Sequence, residues 1–383
     1  MRSSPYLLIG LRVIFYSTSA EDLFRFRLPV ARYIAEAGYS ILFVSPDGPH
    51  AGALNEAPFS FLPIGHPRNA IPLLDDVWRG QLLARVYRET SPDIVHHFGL
   101  DAVVHGGIAA HKARLPWIVH SIPGLGPEGH RRSWMRPGPR FILRKAMKDA
   151  EVTVQSVEDR HLLVAKGCTR PEFVHLIGDE VVDPERIAFS NEPVHDPVAV
   201  LVGPFDGPDD LLPFVDAAQR LRRKKAKSGS RLRFAVVASI ADLNDETRRR
   251  LEAWQEAGVV EWWPRDDVLG ALRNAHVIVA RSCKSYATRL LLLAAGAMGR
   301  PTVGVDLHWC RTVIRDGVTG LLVRHDDPNG LDSALSRILS DRELRRKLGR
   351  QARSFVQEEY SARHIARQIM GVYERLFERG REI

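Results

Sequence analysis

The chain has 383 residues, 45% of them hydrophobic and 26% charged, a composition typical of a soluble globular protein and too much chain for one ordinary core. Its net charge of +8 favours phosphorylated ligands or an anionic membrane surface. No zinc-finger spacing, aromatic-rich basic stripe or RNP-like run supports nucleic acid, and no apolar run approaches a membrane span.

Tyr6–Phe15 reads as a first buried strand. Gly10, Arg12 and the lack of a small-residue cleavage site argue against a signal segment. Phe26–Ala37 has helical spacing and stops at Gly38, and Ser40–Val44 is a second strand closed by Pro46-Asp47-Gly48. Further on, Leu82–Glu89, Gly106–Arg114 and Phe141–Ala150 read as helices. Asp93–His97, Trp117–Ser121 and Val152–Gln155 read as strands. The alternation predicts a doubly wound parallel sheet.

Asn191–Pro197 is polar and proline-bearing and reads as a linker. The rhythm then restarts, with strands at Val198–Val202, Arg233–Ala238, His276–Ala280, Thr302–Val305 and Gly320–Val323. Helices are expected at Leu211–Lys227, Glu246–Glu256 and Thr288–Met298. The basic run Arg222–Lys227 closes a helix, where cations favour the dipole. Ser361–Glu378 is one amphipathic helix, with Ile365, Ile369, Val372, Tyr373, Leu376 and Phe377 on one face. The expected fold is α/β with two Rossmann-like domains, residues 1–190 and 191–358, and a terminal helix in 359–383 packing back on the first. Two facing parallel sheets create a cleft at their strand carboxyl ends. Cys168, Cys283 and Cys310 are far apart and show neither metal spacing nor a disulfide framework, so no metal is expected and a reducing cytoplasm is the default.

The order of several short motifs resembles the retaining family-four glycosyltransferases of the GT-B fold, closest to the branch that builds bacterial surface polysaccharides. In the first half the resemblance rests on Phe26-Arg27-Leu28-Pro29, Ala37-Gly38-Tyr39, Ser45-Pro46-Asp47-Gly48, Pro92–Phe98, Gly124-Leu125-Gly126 and Gln155–Arg160. In the second it rests on Leu201-Val202-Gly203, Ala295–Pro301 and Arg315–Val323. It implies a nucleotide-sugar donor with no further cofactor, and a saccharide or lipid-linked acceptor. When the sugar–phosphate bond breaks, charge builds on the diphosphate, so cations and helix N-termini belong there.

The family's donor residues are replaced. The arginine after Gly203 and the lysine five positions later are Pro204 and Asp209. The pair of glutamates eight apart falls on Tyr286 and Ala294, and a third glutamate position on Thr312. An aspartate about 4 Å from a phosphate oxygen repels it by kcal/mol amounts at intermediate dielectric. Two readings fit. Either the protein is a pseudo-glycosyltransferase that partners an active enzyme, or its phosphate-binding cations have moved. Gly203, Arg281, Lys284, Tyr286, Thr288 and Arg289 are the candidate donor or phosphate residues for the second reading, with His308 and Trp309 at the same mouth.

His97, His120, Gly124 and Gly126 are candidates on the acceptor side. The family's frequent histidine there is Pro123, and His96 or His97 is either a ligand contact or a buried, bonded histidine. The stretch His130–Lys148 interleaves Arg131, Arg132, Arg136, Arg140, Arg144, Lys145 and Lys148 with Trp134, Met135, Phe141, Ile142 and Leu143. Such a surface can lie on an anionic leaflet, which gives a third reading: a membrane-docked module, peripheral at the inner face. The alternative is an ordinary surface helix, with Pro137-Gly138-Pro139 expected to interrupt it.

Overall fold

A computed structural model describes residues 10–56, 58–65, 72–122, 124–125, 133–178, 181–183, 187–226, 231–281, 285–327 and 329–380. The chain forms two compact units, Met1–Val181 with Ala362–Ile383, and Val182–Ser361.

The first unit holds seven strands: β1 Arg12–Ser17, β2 Ser40–Pro46, β3 Ser60–Ile64, β4 Ile94–Phe98, β5 Trp117–Ile122, β6 Glu151–Val154 and β7 Val174–Leu176. They pair in the order β3-β2-β1-β4-β5-β6-β7, all parallel. Helices cover both faces of such a sheet, so its strands read as nearly continuous apolar runs; β4 is buried at every position. The strand expected from Tyr6 begins at Arg12, and residues 6–9 lie outside the described residues.

The first helix starts earlier than its spacing suggests, at Ala20, where the Ser19 hydroxyl accepts from the Asp22 amide at 3.3 Å. It widens into a π turn over Leu23–Arg27 and continues as Leu28–Glu36. Pro29 has no amide hydrogen to return to the preceding turn, which suits that widening. The proline-rich segment before Phe141 corrects another expectation. Pro137 opens the helix Pro137–Ala146 instead of interrupting it, because the first turn of a helix has no use for the missing N–H.

The terminal helix Ala362–Gly380 belongs to the first unit. Ile365, Ile369, Val372, Tyr373 and Leu376 are at most 5% exposed and share a core with Val13, Phe15 and the helix Leu28–Glu36. Burial of such side chains stabilises by about 1.5–3 kcal/mol each.

The second unit holds β8 Val198–Leu201, β9 Arg233–Ala238, β10 Glu261–Pro264, β11 Val277–Ala280, β12 Thr302–Val305 and β13 Gly320–Val323. Their order is β10-β9-β8-β11-β12-β13, again all parallel. This unit takes in chain that the proline-bearing linker would assign to the first. The Ser190 amide donates to the Met298 carbonyl at 3.2 Å, and Phe189 lies against Gly299. Two helices that the apolar pattern left unread, Gly330–Ser340 and Arg342–Phe355, complete it. Cys168 is a free buried thiol and Cys310 is disulfide-bonded, which corrects the expectation that no cysteine pairs. Pairing depends on Cα separations set by the fold, which sequence spacing does not report. Cys283 lies outside the described residues.

Candidate functional site

In an open parallel sheet, ligands bind beyond the strand carboxyl ends where the strand order reverses. In the second unit that point lies between β8 and β11. The loop after β8 carries Gly203, with φ +152, a conformation that side-chain-bearing residues rarely adopt. A Cβ there would stand 3.8 Å from Phe205 and 4.0 Å from Thr288 Oγ1. Gly203 and Thr288, 85 residues apart by number, are therefore neighbours.

Thr288 sits in the first turn of the helix Tyr286–Ala297. That turn holds no acidic residue, and the Ser285 side chain makes no capping bond. Neither the first turn nor its cap therefore offsets the positive end of the helix dipole. Thr288 is 1% exposed, and its Oγ1 has no hydrogen-bond partner among the described residues. The loop after β11 begins with half-buried Arg281, whose Nε is likewise buried without a partner among them. Burial lowers the Arg281 pKa, and the nearby Asp210 carboxylate opposes that shift. Buried polar groups are nearly always paired, and an unpaired one costs about 1–3 kcal/mol.

The other candidates separate. Arg289 is only 4% exposed, with its guanidinium 5.4 Å from the Trp309 ring centroid, so it is a stacked buried cation and not an open one. Lys284 and the side chains of Tyr286 and His308 lie outside the described residues. Ala294 is 5% exposed inside the core, two turns into the helix whose first residue is Tyr286. Thr312 caps its own turn, its hydroxyl donating to the Trp309 carbonyl at 2.8 Å.

Pro204 and Asp209 are exposed. Around them the loop is tied down by its acids: Asp210 accepts from the Asp206 amide at 2.8 Å, and Asn244 donates to the Asp206 carbonyl at 3.1 Å. The turn Arg315–Val323 is structural, with Thr319 Oγ1 accepting from the Arg315 amide and Asp316 from the Leu322 amide.

In the first unit the strand order reverses between β1 and β4. The loops there carry Ser17, whose hydroxyl donates to Asp22 at 3.0 Å, and Gly99 with φ +90. Arg27, 4% exposed, stands 3.8 Å from Asp22 and 4.6 Å from the Phe98 ring centroid. Sequence reasoning passed over these positions, although the end of a first strand is the signal that marks them.

It chose the histidines instead, and the structure corrects that choice. His97 and His120 are fully buried. A carbonyl only accepts, so His120 Nε2 donates to Ala146 at 3.1 Å. Its Nδ1 then accepts from His97 Nδ1 at 3.0 Å, and His97 Nε2 accepts from the Tyr87 hydroxyl at 2.9 Å. His96 bridges the Tyr373 and Ser121 hydroxyls at 2.8 and 2.7 Å. Burial pushes all three imidazoles below their usual range, His120 to about 3, so these rings are neutral core links. Gly106 makes room for them, since a Cβ there would come within 2.4 Å of the His97 ring. Gly124 has φ +121, and the adjacent Leu125 is fully buried. Pro123, Gly126, Arg131 and Arg132 lie outside the described residues.

Comparison with known proteins agrees with the architecture. The family model described as "Glycosyl transferase 4-like" matches residues 12–156, and that described as "Glycosyl transferases group 1" matches 196–341. A D-inositol 3-phosphate glycosyltransferase of Geodermatophilus obscurus is 28% identical over 281 residues, 66% of this chain and 60% of that relative's length. A glycosyltransferase from Rickettsia africae superposes with a TM-score of 0.76 at 15% identity, covering 96% of this chain and 99% of that one. Anabaena Alr3699/HepE in complex with UDP-glucose superposes at 0.70 and 15% identity, covering 95% and 100%. At such identities the superpositions establish the GT-B fold and nothing finer.

Proposed function

Because this chain belongs to the group 1 glycosyltransferases, with a 4-like amino-terminal domain, we propose that it transfers a sugar from a nucleotide-sugar donor whose diphosphate docks at the carboxyl edge of the second sheet. The observation that carries this reading is the pair of buried atoms, Thr288 Oγ1 and Arg281 Nε, that have no partner among the described residues. They lie in the loop and the helix start that follow β11, beside the strand-order reversal. A diphosphate oxygen supplies the acceptor that both donors lack. As the bond between sugar and diphosphate breaks, the growing charge meets a guanidinium and a helix N-terminus.

The donor pocket has then exchanged its sides. Asp206, Asp209 and Asp210 stand on the loop where the resemblance places cations, and Arg281, close enough to Asp210 to feel its charge, lies five positions before Tyr286, where the resemblance places the first carboxylate. Carboxylates on the first loop suit ribose hydroxyls, and the cation on the second suits phosphate.

The test is a calorimetric titration with a panel of nucleoside diphosphates and nucleotide sugars, followed by an assay of sugar release. Saturable binding with release supports transfer. Silence across the panel overturns it and leaves the pseudo-glycosyltransferase reading, with co-purification of an active glycosyltransferase as its own check.

A second observation bears on the acceptor. On the helix Pro137–Ala146, Phe141 is 62% and Ile142 42% exposed, flanked by exposed Arg144, Lys145 and Lys148. Apolar side chains in a basic setting suit an anionic leaflet, and so a lipid-linked acceptor. Phe141→Asp is expected to reduce sedimentation with vesicles containing phosphatidylglycerol, and unchanged sedimentation removes this reading.

A further inference from the structure

At the opposite, amino edge of the second sheet, a pocket of about 450 Å³ opens beside His276 and Pro301, the residues that precede β11 and β12. Its charged lining is lopsided. Arg300, Arg342, Arg345, Arg346 and Arg350 face one carboxylate, Glu192.

That carboxylate is already shared. Glu192 accepts from Arg342 at 3.0 Å and from Arg345, which also donates to the Ile338 and Leu339 carbonyls. Among the described residues Arg346 pairs only with Glu343, at 3.6 Å, and that pair is 45% and 80% exposed and hence weak. Arg350 is exposed and forms no ion pair among the described residues. Arg300 is 2% exposed and spends its terminal nitrogens on Ser190, on the Asn191 and Arg273 carbonyls, and on no carboxylate. Its Nε is buried without a partner among the described residues. His276 brings no negative charge, and its two ring nitrogens are committed to the Val198 amide and the Pro193 carbonyl.

The sequence builds this surplus deliberately on one helix face. Arg342, Arg346 and Arg350 recur every fourth residue along Arg342–Phe355, so three like charges stack where neighbouring repulsion costs a few tenths of a kcal/mol per pair, on the order of 0.2–0.5. Arginine forks match phosphate oxygens two at a time. A volume of this size accepts a small phosphate-bearing molecule.

We infer that this pocket is a second anion site, for a phosphate group, separate from the donor loops at the carboxyl edge of the same sheet. A bound phosphate supplies the acceptors that Arg346 and Arg350 lack and relieves the repulsion between them. The phosphate can belong to a free small molecule or to a lipid headgroup.

The probes are inorganic pyrophosphate, by calorimetry, and phosphatidylcholine vesicles with and without phosphatidylglycerol, by sedimentation. Both are applied to the full chain, to Arg281→Ala and to Arg281→Ala carrying in addition the double change Arg346→Glu/Arg350→Glu. Arg281→Ala removes the proposed donor contact, so pyrophosphate binding that survives it reports the second site. The expected result is binding in Arg281→Ala that falls at least about tenfold when Arg346→Glu/Arg350→Glu is added to it. Arg346→Gln/Arg350→Gln repeats the test without charge reversal, and a thermal melt verifies that each variant is folded. Pyrophosphate binding lost in the double variants supports the site with a free ligand. Loss of vesicle binding alone supports it with a headgroup. If neither probe binds Arg281→Ala, or if the double variants bind as the parent does, the inference is overturned.

Discussion

The interior of the first unit and the carboxyl edge of the second both bury polar side chains, with opposite outcomes. Around β4 and β5 every bond has a direction: Tyr87 donates to His97, His97 to His120, and His120 to Ala146. Beside β8 and β11, the buried atoms Thr288 Oγ1 and Arg281 Nε have no partner among the described residues. Burial of polar groups therefore does not mark a site by itself. A saturated chain holds a core together, whereas an unsaturated pair sets aside hydrogen-bonding capacity for something else.

The comparison can be broken most forcefully with pH. A histidine held below its unfolded pKa binds fewer protons folded than unfolded. Its stability contribution is therefore full at neutral pH and is lost as pH falls through the unfolded value of 6.5. Three buried imidazoles in the first unit are each expected to cost roughly a kcal/mol per pH unit below that point. His276, lowered to about 4 by burial, adds one such group in the second unit. Denaturant unfolding at pH 7.5 and pH 5 should show a loss of several kcal/mol, on the order of a small domain's whole stability. A flat profile would mean the chain of neutral rings is not closed.

His97→Ala comes next. It opens a cavity and strands both the Tyr87 hydroxyl and His120 Nδ1, for an expected loss of about 3–5 kcal/mol in urea unfolding. Nucleoside-diphosphate affinity should not change where the variant remains folded.

Arg281→Ala reverses that pattern. It should weaken nucleoside-diphosphate binding by about 10–100-fold, roughly 1.4–2.7 kcal/mol, and leave the melting temperature nearly unchanged. Thr288→Val is the smallest and the sharpest. Replacing an unpaired hydroxyl by a methyl of similar shape should be neutral or stabilise by up to about 1 kcal/mol, while binding weakens severalfold. Destabilisation by Thr288→Val would show that its hydroxyl is paired within the protein and would erase the contrast.

Much of the frame was legible in the sequence. β12 and β13 match their apolar runs residue for residue, and the face of Ala362–Gly380 is the one its periodicity indicates. β3, β7 and β10 went unread. They are short, and Phe61, Leu62 and the two tryptophans of β10 are only partly buried, so no continuous apolar run announces them. The helix Arg342–Phe355 went unread because its apolar residues are few among seven charges. Gly203, Arg281 and Thr288, candidates from their places in the sequence, lie in the loops and helix start beside the strand-order reversal. His97 and His120 were misassigned because a strand-final histidine looks the same whether it faces water or a neighbouring ring.

What the sequence determined by itself was local: the alternation of strands and helices and the two-unit layout. Those follow from periodicity and order along the chain. Only the tertiary structure decided which polar groups are satisfied, because their partners lie far away in sequence. His96 reaches Tyr373 277 positions on, and Arg345 reaches back 153 to Glu192. Pairing is a property of atoms brought within about 3 Å of one another, and no pattern along the chain reports that distance.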